Sequence, residues 1–271
     1  MTAAPNRTPS VLTDVRVADG RTVDILMRDG RIEEIAPDLV RNYAAAAPID
    51  GRGMLALPGL VDGHMHLDKT LTGLPWMPHR AGPDRMSRIN TEKGLRGDLP
   101  PVAERASNLV RCCIAHGTTA IRSHVDIDLD IGLSHLHALV EVRERFAGSV
   151  DLQLVAFPQS GVMRNPGTAD LLDAALDEGA GLLGGLDPIV IDNDLDGQLD
   201  VLFAIAERRA VGIDLHLHDA GEHGLTEIAA VCERTRAAGL EGRVTVSHGF
   251  CLGAADDDAF ARTADAMAGA G

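Results

Sequence analysis

Aromatic side chains are scarce in this sequence: five Phe, one Trp and one Tyr among 271 residues. Ala, Val, Leu and Ile must therefore fill the interior, and the 45% hydrophobic fraction supplies them. Such a composition suits the layered branched residues of an α/β barrel. Positive charge is short as well, with 25 Lys and Arg against 40 Asp and Glu, a formal net charge of −15. That balance argues against nucleic-acid backbones and anionic membranes as partners, while a small neutral or cationic substrate is compatible with it. No run approaches 18 apolar residues, and Met1–Ser10 lacks the apolar core of a signal peptide. The expectation is a soluble, cytoplasmic protein. Cys112, Cys113, Cys232 and Cys251 form no Cys-x-x-Cys pair, and they read as buried or free thiols of a reducing compartment. There is no Gly-x-Gly-x-x-Gly after the first barrel-type strand, which disfavours a dinucleotide-binding open sheet. Internal repeats and low-complexity tracts are absent too.

What is present falls into two parts. Residues 1 to about 9 are polar with two prolines and read as a loose terminus. Residues 11–38 hold short alternating apolar runs punctuated by Asp19-Gly20 and Asp29-Gly30, which are hairpin signals. This predicts a small N-terminal β-module over residues 1–56. From Leu57 onward strand and helix alternate. Strands are expected at 57–63, 118–125, 150–157, 181–186, 211–217 and 243–247. Helices are expected at 101–116, 132–147, 168–178, 197–208, 224–238 and 255–268. The stretch 68–100, rich in Pro, Gly and charge, reads as a long loop of the kind that covers an active site. The fold class is thus α/β, whose parallel units either close as an (β/α)8 TIM-type barrel over residues 57–271 or lie open as a doubly wound sheet. As a barrel it is incomplete, because about six strand–helix units precede Gly271.

The chemistry gathers at strand ends. His64 and His66 stand at i, i+2 after the apolar run Leu57–Asp62, so an extended backbone points both rings to one side. Two neutral nitrogen donors on one strand are half of a transition-metal site. His216 ends the run Ile213–Leu215, and His248 ends Val244–Ser247, which delivers both to the rim where barrel active sites lie. Asp219 follows the fifth strand and is placed to exchange protons, with capping of the next helix as its competing role. Gln159, just past the third strand, offers a donor and an acceptor for an amide or pyrimidine-like edge, or is simply solvated. Asp68 and Lys69 face the site or pair with each other. His124 and Asp126 are candidates for the site wall only. His116 suits a helix C-terminus; His135 and His137 read as helical surface, and His79 and His223 as loop residues.

With these residues in place, the chain resembles the amidohydrolase superfamily, and within it the cytosine deaminase-like branch. The motifs are Pro58-Gly-Leu-Val-Asp-Gly-His-Met-His-Leu-Asp68, Gly117-Thr-Thr-Ala-Ile-Arg-Ser-His-Val-Asp126, Val155-Ala-Phe-Pro-Gln-Ser-Gly161, Asp214-Leu-His216 and Arg243-Val-Thr-Val-Ser-His248. The resemblance implies a barrel with a small β-sandwich and one divalent metal ion, zinc or iron. It implies hydrolysis of a C–N bond other than a peptide bond in a heterocyclic or amide substrate. Under it His64, His66 and His216 are metal ligands, His248 and Asp219 catalytic, and Gln159 substrate-binding. Two departures stand out: the acid/base position carries Asp219 where the family usually has Glu, and the family's strand-8 aspartate has no counterpart before Gly271. The alternative reading is a non-catalytic truncated homologue that binds metal or a small molecule. Such a chain would associate through open barrel edges, as a homo-oligomer for instance.

Overall fold

The computed structural model describes residues 9–271 apart from His79. Residues 1–8 of the loose terminus expected over 1 to about 9, and the expected loop histidine His79, lie outside the described residues. Contacts divide the chain into two compact units, residues 1–59 and 60–271.

In the first unit β1 (Ser10–Arg16), β2 (Thr22–Arg28), β3 (Arg31–Ala36) and β4 (Ala47–Asp50) form one sheet in the order β3-β2-β1-β4. A short α1 (Leu39–Asn42) joins β3 to β4. Asp29 and Gly30 both take positive φ, 50° and 77°, the backbone a two-residue hairpin needs to match strand twist. Plain alternation would put Val11 and Val15 on one face, but the register of β1 shifts between Leu12 and Val15, where Asp14 takes φ 50°, so Val11 packs with Leu26 and Leu39 and Val15 with Val23 and Ile25.

The second unit carries β5 (Leu60–Met65), β6 (Thr118–Asp126), β7 (Asp151–Phe157), β8 (Leu182–Leu186), β9 (Gly212–Leu217) and β10 (Val244–His248). They pair in parallel in strict chain order, β5 through β10. Sequential order is that of a barrel wall, whereas a doubly wound sheet reverses direction at a switch point. The sheet is also curled. His64 on β5 and Ser247 on β10, at opposite edges, bring Nδ1 and Oγ to 3.2 Å. In a flat sheet those edges stand roughly 24 Å apart at about 4.8 Å per strand. The result is a six-strand arc of a (β/α)8-type barrel. Helices α3 (Val102–Ala115), α4 (Ser134–Arg145), α5 (Thr168–Asp177), α6 (Leu195–Arg209), α7 (Gly221–Ala238) and α9 (Asp257–Ala268) follow the strands, and a one-turn α8 (Phe250–Ala254) closes the turn after β10. Among the described residues no helix is long and apolar enough to cross a membrane.

Two expectations change. The segment 68–100 is not one long loop, because it contains α2 (Arg85–Leu95). Asp84 caps it by accepting from the Ser87 N–H at 2.8 Å, and its apolar face is only Met86 and Ile89, packed on Phe157, Leu186 and Ile191. So thin a stripe gives almost no helical period to read. The barrel interior, expected to be branched and apolar, is polar beneath the site: Arg122 on β6 donates to Gln153 on β7 and to Asp214 on β9, both at 2.8 Å.

Candidate metal centre and its cavity

Four histidines from three strands and one strand end meet. One ring nitrogen each of His64, His66, His124 and His216 lies within 4.8 Å of the others. His64 and His66 come from the end of β5, His124 from β6 and His216 from β9. Ring centroids of His64, His124 and His216 are 4.4–4.6 Å apart, and the Phe157 ring packs on His216 at 4.3 Å. His124 and His216 are 0% and 3% exposed. Burial, and then the neighbouring His124, drive His216 well below the ordinary histidine range. His66 is pushed the same way, chiefly by burial. These rings are therefore neutral, with lone pairs to offer.

The fit of a metal ion follows from what is left unpaired. His66 Nε2 and His216 Nε2 face each other at 3.1 Å, while the Nδ1 atoms of both and of His124 are buried without a hydrogen-bond partner among the described residues, and His124 Nε2 has only Asp214 Oδ1 nearby, at 3.3 Å and off hydrogen-bond geometry. Buried donors and acceptors are nearly always satisfied. A cluster of imidazole nitrogens facing one another, with burial disfavouring protonation of His66 and His216, is the donor set that a divalent transition metal accepts.

Above the histidines lies a cavity of about 550 Å³, lined among others by Lys69, Arg85, Ile89, Glu92, Gln159, His218 and His248. Gln159 is half-buried, and its side-chain amide makes no hydrogen bond among the described residues. His248 ends β10 with φ 74°, a left-handed backbone that costs a bulky residue strain and turns its ring over the site. It stacks on His218 at 4.2 Å and 24°. Burial, with His218 next, pushes His248 down to about 4.

The structure separates the remaining candidates. Lys69 reaches the cavity, with Nζ 2.7 Å from Asp126 and 3.5 Å from Glu92. Burial alone would lower its pKa, but the Asp126 and Glu92 carboxylates reverse that and hold it up. Asp68 turns away, accepting from the Asp126 N–H at 3.0 Å and from His135 Nδ1 at 2.9 Å. His135 is accordingly a half-buried partner rather than a surface residue. Asp219 is 6% exposed but does not line the cavity. Its Oδ1 accepts from Arg85 at 3.1 Å, its Oδ2 has no partner among the described residues, and no side chain caps α7. Behind it Asp187, Asp219 and Glu227 form a buried carboxylate cluster. Burial, aided by the Asp219 and Asp187 charges against the pull of the Ile189 N–H, pushes Glu227 up to about 8.

Sequence reasoning passed over two residues that matter. Asp187, 0% exposed, binds the His218 N–H through Oδ1 at 2.6 Å and His218 Nδ1 through Oδ2 at 2.9 Å. It directly follows β8, so the same strand-end rule that found the histidines could have found it. Arg85 bridges Asp187 at 2.5 Å and Asp219 at 3.1 Å from a helix whose existence was hidden.

No protein-family model matches the sequence. The chain is similar to N-isopropylammelide isopropyl amidohydrolase of a Pseudomonas species, 35% identical over 213 residues, which are 75% of this chain and 52% of that protein. It is also similar to pterin deaminase of Rhizobium rhizogenes, 31% identical over 254 residues, 92% of this chain and 56% of that one. Among solved structures, N-isopropylammelide isopropylaminohydrolase from Burkholderia multivorans superposes with a TM-score of 0.90 at 43% identity, covering 97% of this chain and 66% of that one. The chain spans about half the length of the curated relatives it matches.

Proposed function

The chain belongs to the amidohydrolase superfamily, and from that premise we propose that it is a metal-dependent hydrolase of C–N bonds other than peptide bonds. Its substrate is a small amino-substituted heterocycle or amide, the class to which the names of the ammelide and pterin relatives point. The observation that carries this reading is the convergence of four histidines beneath a cavity, with buried ring nitrogens of His66, His124 and His216 left without a hydrogen-bond partner among the described residues.

His64, His66 and His216 are assigned as ligands, with His124 the fourth ring of the cage. A divalent ion there, zinc or iron, supplies Lewis acidity that makes water nucleophilic near neutral pH. Gln159 reads the amide edge of the substrate, donating through its NH2 and accepting through its carbonyl. His248, folded over the site, stabilises charge developing on the attacked carbon's substituent. Proton exchange with the departing nitrogen falls to His218, because it lines the cavity and Asp187 fixes its ring through Nδ1, leaving Nε2 for the reacting side. Asp219, expected to hold the proton itself, acts from behind by sharing Arg85 with Asp187.

The test is bound-metal content together with ammonia or amine release from a panel of aminopyrimidines, pterins and alkylamino-triazines. Turnover by metal-loaded protein on at least one class is expected. A fully loaded protein inert to the whole panel would sink the proposal.

A further inference from the structure

On the side of the histidines away from the cavity, hydrogen-bond polarity carries information beyond position. Asp214 on β9 is 1% exposed. Its Oδ2 accepts from Arg122 Nη1 at 2.8 Å, and its Oδ1 accepts from Ser247 Oγ at 2.8 Å. The same Oδ1 lies 3.3 Å from His124 Nε2. Ser247 Oγ in turn lies 3.2 Å from His64 Nδ1. A guanidinium is always charged and only donates, and a carboxylate paired with it only accepts. The hydroxyl has one proton, and that proton goes to Asp214. What Ser247 has left for His64 is a lone pair, so His64 Nδ1 must be the N–H. A neutral imidazole protonated at Nδ1 keeps its free lone pair at Nε2.

From this chain of contacts we infer that Ser247 and Asp214 are positioning residues for the metal centre: they hold His64 as the Nδ1–H tautomer and present Nε2 as its ligand nitrogen. The register explains why these two residues serve. Asp214 sits two residues before His216 on β9, so both point to the concave face. Ser247 pairs with His216 across the β9–β10 ladder, which brings its hydroxyl level with the histidines. Partners one step behind a ligating histidine set ring orientation and raise ligand basicity, and losing one typically costs about 10–100-fold in metal affinity. The inference rests on the proposed metal reading for its consequence, though the tautomer itself does not.

Two measurements test it on the whole chain. In metal-free protein labelled with 15N-histidine, long-range 1H–15N spectra should show His64 as the Nδ1–H tautomer in wild type and in Ser247→Thr, which keeps the hydroxyl. Ser247→Ala should lose that signature. With Zn²⁺ alone as the probe, competition against a chelator should show Ser247→Ala and Asp214→Asn binding about 10–100-fold more weakly, with Ser247→Thr close to wild type. Unfolding midpoints of the metal-free variants separate this from misfolding, since Ser247→Thr and Ser247→Ala should agree there and differ in affinity. Wild-type His64 in the Nε2–H form, or Ser247→Ala with unchanged tautomer and Zn²⁺ affinity, overturns the inference. Wild-type protein that takes up no Zn²⁺ overturns the metal reading instead, and the tautomer spectrum still decides the inference.

Discussion

His218 and Asp219 are adjacent in sequence and opposite in placement. Both lie past the end of β9, where Asp187 holds His218 at the cavity wall through its N–H and Nδ1, while Asp219 turns to Arg85. Their substitutions should therefore differ in kind. His218→Asn removes the group proposed to exchange a proton with the departing nitrogen and should lower kcat by about 10²–10⁴-fold with KM within a few-fold. Asp219→Asn leaves Asp187 and His218 in place and should lower kcat by only about 10-fold, the scale of a slight misplacement of reacting groups. Steady-state kinetics on whichever substrate the panel identifies decides; a larger loss in Asp219→Asn than in His218→Asn would return the proton to the aspartate. The same geometry shows what the sequence could and could not reveal. His64, His66, His216 and His248 were legible because each ends an apolar run, and Gln159 because it follows one. His124 reads only as a candidate for the site wall, because Arg122 and Ser123 break the apolar run before it and the strand continues to Asp126. Lys69 was legible only as one of two alternatives, facing the site or pairing with Asp68, and Arg85 not at all, because their directions are set by Asp126 and by Asp187 and Asp219, far away in sequence.

Strand–helix alternation in residues 60–271 was readable for most elements, because helices such as α6 carry buried apolar faces and strands such as β7 and β9 carry apolar runs, while β8, Leu182-Leu-Gly-Gly-Leu186, gave only a weak strand signal. The exception, α2, is held in place by charge rather than by burial. Arg85 at its start reaches Asp187 and Asp219. Past its end Arg96 spans Asp126 and Asp128 at 2.8 and 3.0 Å, and Lys93 reaches Asp128 and Asp130 at 3.4 and 2.5 Å. Asp126 and Asp128 are 0% and 2% exposed, so their cationic partners offset a real desolvation cost. Since Arg85, Ile89 and Glu92 also line the cavity, loosening this helix should be felt in substrate binding before chemistry. Arg96→Ala should raise KM about 10-fold while kcat changes less, and should open the segment 80–98 to limited proteolysis. Arg96→Lys, unable to span both carboxylates, should recover only part. An Arg96→Ala protein that resists cleavage and keeps its KM would mean that the apolar contacts of Met86 and Ile89 suffice to dock the helix.

At the scale of the whole molecule, burying so many titratable groups in one domain makes stability depend on pH from two directions. The histidines act on the acid side. His248 is depressed to about 4 from an ordinary 6.5, and His66 and His216 are lowered further by burial. Below about pH 6.5 the unfolded chain takes up protons that these folded rings refuse, so stability is lost as pH falls. Glu227 acts on the other side. Burial raises it to about 8 from an ordinary 4.5, so the folded state keeps a proton that the unfolded state releases. Its stabilising contribution is complete below about pH 4.5 and is lost as pH rises toward about 8, at up to about 1.4 kcal/mol per unit. Metal-free protein should thus show a stability maximum between the two limbs. Glu227→Gln keeps a neutral hydrogen-bonding group without the ionisation, so it should flatten the alkaline limb and leave the acid limb as it was. Urea midpoints measured from pH 5 to 9 read both limbs at once. If the variant declines toward pH 9 as steeply as wild type, the proton is not on Glu227, and the buried cluster of Asp187, Asp219 and Glu227 must be neutralised some other way.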